Sequence, residues 1–216
     1  MSGYQSFAVV GAGAMANTLV ALYLVSKGVK VVTVDYNPVS SIQSVLSGVD
    51  VVISTIGHGI LEVQDDLVLT AKAAGVKLFV PSEFGLPTDG PANEFHLPYA
   101  AFYAGLFPDY VFARGFSEEM GFDFSRYFAH ILTALLKDRI EWRTFRIEGE
   151  RTNYNQIVDD WKKRSGGYPS NFVNQLILGL NESKGLVGKS NEVTNYEFSD
   201  WNPRKVVDVL AELYGQ

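Results

Sequence analysis

Four short apolar runs punctuate the first eighty positions: Phe7 to Val10, Lys30 to Asp35, Val51 to Thr55, and Val76 to Val80. Each is continuous rather than alternating, and the second is β-branched from Val31 to Val34, so all four predict strands buried on both faces. Between them the apolar positions shift to helical spacing. Residues 14–27 place Leu19, Leu22, Tyr23 and Val25 at such positions and end at Gly28; residues 39–47 follow the turn signal Asn37-Pro38; residues 61–74 end at Gly75. Alternating strands and helices of this kind predict a doubly wound α/β fold, a parallel sheet with helices on both faces.

Beyond Pro81 the texture changes. Residues 85–122 are rich in Gly, Pro and aromatics and predict no long helix. An apolar helix is expected over Ser125 to Leu136, a strand over Trp142 to Ile147, and a helix from Thr152, a suitable N-cap, to Lys163. Residues 168–191 suggest a helix and a Gly/Ser/Lys loop, and Pro203 opens a closing helix. The expectation is one domain over 1–216, with a core at 1–85 and a small irregular lobe over 86–216.

The most informative segment is Phe7-Ala-Val-Val-Gly-Ala-Gly-Ala-Met-Ala16, a strand that stops at a glycine and passes into a helix. Gly11, Gly13 and Ala16 occupy the G-x-G-x-x-G/A positions of a dinucleotide-binding turn. Gly11 permits the tight turn, Gly13 lets backbone approach a pyrophosphate, and Ala16 lets the helix pack closely on the strand. The helix start, with Ala14 and Met15, then offers N–H groups and a positive dipole end to phosphate. In open parallel sheets the rest of such a site gathers at the carboxyl ends of the strands. There the chain places Ser54-Thr55-Ile56-Gly57 and Pro81-Ser82-Glu83-Phe84, expected to flank the nicotinamide half.

Composition narrows the function classes. With 216 residues, 47% hydrophobic and 19% charged, the chain can bury a real core. A net charge of −6 argues against non-specific nucleic-acid binding. There is no apolar run of membrane-spanning length, and Met1 to Ser6 reads as no targeting peptide, so a cytoplasmic, non-membrane protein is expected. The absence of cysteine excludes disulfides and thiolate chemistry, and no metal-ligand spacing is present.

Taken with the glycine motif, VVISTIG at 51–57 and FVPSEFG at 79–85 resemble the NmrA-like family, which includes isoflavone-reductase-like and phenylcoumaran-benzylic-ether-reductase-like enzymes. DYVF at 109–112 and RTFRIEGER at 143–151 extend the likeness, which thins toward the carboxyl terminus. The resemblance implies an NAD(P)-binding Rossmann-like fold, NADP(H) as cofactor and reduction of a small, aromatic molecule. It equally implies the alternative found in the family's regulator branch: a non-catalytic sensor of nicotinamide redox state, with a protein partner.

Departures from the family pattern bear on that choice. The first helix runs directly into Gly28 to Tyr36, which matches the family's third strand, so the second strand and its 2′-phosphate reader are missing. Asp35 then stands 19 residues past Ala16, the spacing at which a carboxylate bonds an adenosine ribose, and offers an NAD(H) alternative. The helix carrying the family's catalytic lysine is also missing, and no lysine occurs between Lys77 and Lys137. A third junction falls at Gly121 to Arg126. The pattern is that of a shortened family member or an incomplete gene model.

Substitutes for that lysine are few. His96 is the imidazole nearest in sequence that could serve as proton donor. His58 follows a strand end and reads as a loop residue, while His130 reads as structural. Tyr23-Leu-Val-Ser-Lys27 has Tyr-x-x-x-Lys spacing but lies inside the first helix, on its packing side. The pairs Asp65/Asp66, Glu118/Glu119 and Asp159/Asp160 read as solvated faces.

Overall fold

The computed structural model describes residues 3–11, 25–36, 40–56, 62–85, 96–103, 140–148, 151, 156, 159, 163, 189–198, 205–208 and 211. The chain divides into two compact units, one comprising Met1–Ser82, Asp89–Ala101 and Leu135–Arg143, the other Glu83–Thr88, Phe102–Ala134 and Thr144–Gln216.

The first unit is built on a parallel sheet of three strands in chain order: β1 (Phe7–Val10), β2 (Val51–Ser54) and β3 (Leu78–Val80). Phe7 pairs with Val51 and Val51 with Leu78, so Ala8, Val10, Val52, Ser54 and Phe79 share one face. On that face lie α1 (Ser40–Gln43) through Ile42, the turn after it through Leu46, and α2 (Val63–Ala73) through Leu67, Val68 and Ala71. The apolar stripe of α2 follows the helical period, with Gln64, Leu67, Val68 and Ala71 buried and Asp65 and Asp66 exposed. Those two acids sit in the first turn and Lys72 in the last, each complementing the helix dipole. Gly75, at φ +83°, closes the helix. Its N–H donates to the Lys72 carbonyl and that of Val76 to the Ala71 carbonyl, which satisfies two terminal acceptors.

The opposite face carries Val51, Ile53, Leu78 and Val80, all buried, so β2 and β3 are covered on both sides, as their uninterrupted apolar runs require. β1 differs. It ends the sheet, and on this second face Phe7 and Val9 remain 41% and 60% exposed. Helices α1 and α2 lie on the first face; of the helix expected over 14–27, residues 25 and 26 are described and helical, and Gly28 follows at φ +81°.

One expected strand is corrected. Lys30 to Asp35 forms no strand, and Val31 and Val32 are 45% and 40% exposed. β-Branched residues favour extended backbone, but a strand exists only where a neighbour supplies a ladder. Among the described residues the sheet order ends at β1, and nothing pairs with 30–35. Val34 and Tyr36 still pack part-buried against the α1–α2 side of the core.

The amino ends of the strands are tied together by Asp50. Its carboxylate accepts from the Gln5 N–H at 2.7 Å and the Ser6 N–H at 3.1 Å, and meets the Lys77 ammonium at 2.6 Å. The lysine, with those two amides, holds the Asp50 carboxyl well below the usual carboxylate range. Tyr4 donates its phenolic proton to Glu141, and burial, with that carboxylate, pushes its pKa up.

Two further strands, β4 (Ala100–Tyr103) and β5 (Arg143–Arg146), pair with each other. Before β4, Tyr99 bridges Phe79 in parallel fashion and meets the Trp142 ring edge-on, at 5.6 Å between centroids. The second unit has an aromatic centre, in which Phe102 stacks on Phe145 at 4.8 Å and Phe198 meets Phe145 edge-on. Asn195 pairs with the backbone beyond β5 like an added strand residue. Its Oδ1 accepts from the Glu148 N–H and its Nδ2 donates to the Glu148 carbonyl. Thr194 does the same for Arg146. Gln156, Asp159 and Lys163 are helical, as is Val206 to Asp208 near the carboxyl terminus. Among the described residues no helix is long and apolar enough to cross a membrane.

Candidate functional site

Three parallel strands that end side by side bring the segments following them together. Immediately after β1, Gly11 adopts φ +97°, a conformation open to glycine. A Cβ built there would lie 2.6 Å from the backbone nitrogen of Ile56 and 2.6 Å from its Cγ2. Gly11 is thus required twice, by its backbone angle and by the approach of the chain leaving β2. Thr55 fixes that approach: its N–H donates to the Val10 carbonyl at 2.7 Å, and its hydroxyl reaches the Val10 and Gly11 carbonyls at 3.2 and 3.0 Å.

The turn after β3 is joined to the same point. Buried Pro81 ends the strand, and the Ser82 hydroxyl donates to the Ile56 carbonyl at 2.8 Å. The Ser82 N–H donates to Oε1 of Gln64 at 2.7 Å. Gln64 is a buried polar residue on the inner stripe of α2. Gly11, Thr55, Ile56, Pro81 and Ser82, all singled out from sequence, therefore gather at the carboxyl ends of β1, β2 and β3.

Ser54 is placed differently. Its hydroxyl is fully enclosed on the α1–α2 side of the sheet and has no hydrogen-bond partner. Glu83 and Phe84 belong to the second unit, where the Tyr103 phenol donates to Glu83 Oε2 at 3.1 Å. The Arg146 guanidinium stands 5.7 Å from the centroid of the Tyr103 ring. Gly13, Ala14, Met15, Ala16 and Gly57, with His58 and His130, lie outside the described residues.

His96 is exposed and left-handed, at φ 50°. It precedes Tyr99, which runs parallel to Phe79, so the chain at 96 leads back toward the amino ends of the strands, away from Ser82. Asp35 is exposed in the irregular segment before α1, where its carbonyl accepts from the Ser41 hydroxyl at 2.7 Å. The strand end that would have carried it to a ribose is absent.

Sequence reasoning overlooked Gln64 and Tyr103. Gln64 had a signal, since it shares the i, i+3, i+4, i+7 spacing of Leu67, Val68 and Ala71. Tyr103 had none beyond its place in an apolar run.

The turn after β1 begins at a glycine that admits no Cβ, and the segments that follow β2 and β3 are cross-linked beside it. The Thr55 and Ser82 hydroxyls are committed to carbonyls, so they shape the site rather than bind phosphate.

Comparison with known proteins agrees. Residues 2–104 match the NmrA-like family. A phenylcoumaran benzylic ether reductase of Populus trichocarpa is 36% identical over 92 residues, which cover 41% of this chain and 30% of that protein. The matched part of the chain thus spans under a third of the relative's length. The crystal structure of an isoflavone reductase superposes with a TM-score of 0.65 at 17% identity, covering 96% of this chain and 90% of that one. A leucoanthocyanidin reductase from Vitis vinifera, solved with NADPH, gives 0.67 at 15% identity, with coverages of 97% and 90%. The fold is accordingly the Rossmann-like α/β fold of these two solved reductases. Over residues 2–104, the chain is similar to the NmrA-like family.

Proposed function

We propose that the protein binds NADP(H) at the carboxyl ends of β1, β2 and β3 and acts as an isoflavone-reductase-like oxidoreductase on a small aromatic molecule. The observation that carries this reading is the convergence on Ile56. The glycine turn after β1 abuts its backbone, and Ser82 of the Val-Pro-Ser-Glu-Phe-Gly motif bonds its carbonyl. The relatives support the chemistry: one is named a phenylcoumaran benzylic ether reductase, and the leucoanthocyanidin reductase was solved with NADPH. A bound reduced nicotinamide would supply a hydride, and reduction then needs a proton from a general acid.

That proton is where a second reading gains support. No lysine lies between Lys77 and Lys137, and His96 leads toward the far ends of the strands. A protein that binds the dinucleotide and senses its redox state without turnover, with a protein partner as reader, accounts for both facts. The test is NADPH consumption over a panel of aromatic reductase substrates, with His96→Ala beside wild type. Turnover supports the reductase reading, and we expect His96→Ala to leave it unchanged. Dinucleotide binding without turnover supports the sensor.

A further inference from the structure

We infer that Gln64 is a positioning residue for the nicotinamide half of the dinucleotide, acting through the turn after β3. The inference rests on the dinucleotide reading above and extends it to a residue of α2.

Gln64 lies in the first turn of α2, on the face packed against the sheet, and is 5% exposed. A primary amide there is costly unless bonded, because a buried polar group without a partner loses its hydration for nothing. Its partner is the N–H of Ser82, at 2.7 Å. Ser82 is the first residue free to turn once Pro81 has ended the strand. From the other side its hydroxyl grips the Ile56 carbonyl at 2.8 Å. Ile56 is in turn the residue that closes on Gly11.

One chain of contacts therefore runs from Gln64 through Ser82 and Ile56 to the turn after β1. Two of its links hold Ser82, one at its backbone and one at its side chain, and they fix both position and orientation of the peptide leading to Glu83. Loops at strand ends are ordinarily the most mobile parts of an α/β domain. A buried amide acceptor is a means of holding this one in a single conformation before a ligand arrives, so that binding need not order it.

The consequence is selective. The adenosine and pyrophosphate are expected at the glycine turn, whereas the turn after β3 is expected beside the nicotinamide. Loss of the Gln64 acceptor should therefore weaken recognition of the whole dinucleotide more than recognition of its nicotinamide-free part.

The experiment compares wild type, Gln64→Met and Gln64→Glu. Methionine keeps length and volume without an acceptor, whereas glutamate in either protonation state retains a carbonyl oxygen for the Ser82 N–H. Each is titrated, at a temperature where all remain folded, with NADPH and with 2′-phospho-ADP-ribose, which lacks the nicotinamide. We expect Gln64→Met to weaken NADPH binding roughly tenfold, the scale of one buried hydrogen bond. Its binding of 2′-phospho-ADP-ribose should stay within twofold of wild type, and Gln64→Glu should recover NADPH affinity.

Unchanged NADPH affinity in Gln64→Met overturns the inference. Equal weakening toward both ligands also overturns it, because that marks general loosening of the fold. A wild-type protein that binds neither ligand removes the dinucleotide reading itself, and this inference with it.

Discussion

Two glycines at positive φ separate conformational from steric need. Gly75 has open space where a Cβ would go, so Gly75→Ala should cost only the left-handed penalty, about 1–2 kcal/mol. Gly11 adds a collision with Ile56 backbone, which cannot swing aside as a side-chain tip would. Gly11→Ala should therefore cost about 3 kcal/mol or more, and chemical denaturation of the two variants reads the difference. Ser54 gives the opposite sign. Its enclosed hydroxyl has no partner, so Ser54→Ala should be neutral or stabilising by up to about 1 kcal/mol. A clear loss of stability in that variant would show that the hydroxyl makes a bond in solution. The glycine motif was legible at this scale because steric exclusion is written in residue type. The enclosure of Ser54 was not, because a serine at a strand end reads equally as ligand or as interior.

Among elements, β1, β2, β3 and β5 were readable from sequence, and of these β2 and β3 are buried on both sides. β2 and β3 present unbroken apolar runs, the pattern expected of strands covered on both faces. Lys30 to Asp35 has the same composition and forms no strand, since composition cannot say whether an edge is available to pair with. Val32→Thr should accordingly change stability by no more than about 0.5 kcal/mol, whereas Leu67→Ala, in the core under α2, should cost about 2–5 kcal/mol. The Asp50 clamp was likewise invisible, because it joins residues distant in sequence, Gln5, Ser6 and Lys77. Its pH dependence has a definite sign. The folded-state pKa of Asp50 is depressed, so its contribution is complete above the unfolded value near 4 and fades as pH falls below that toward the folded value. Asp50→Asn should lower the unfolding midpoint at pH 7, and the gap from wild type should narrow as the pH drops below about 4. A gap that stays constant into acid would mean the carboxylate is not ionised in the clamp.

Over the whole molecule, family likeness in sequence is concentrated at residues 2–104, while the structural likeness to reductases extends over nearly the full chain. The binding half of the reading therefore stands on the geometry at the strand ends, where Gly11, Thr55 and Ser82 converge on Ile56 and Val10. The dinucleotide is expected to bind at the turn after β1. Calorimetric titration of the wild-type chain with NADPH and NADH, beside a Gly13→Val variant that fills the approach to the pyrophosphate, tests it most directly. Wild type should bind NADPH saturably, and Gly13→Val should lose that binding. Absence of heat with both nucleotides, or equal binding by the variant, would contradict it.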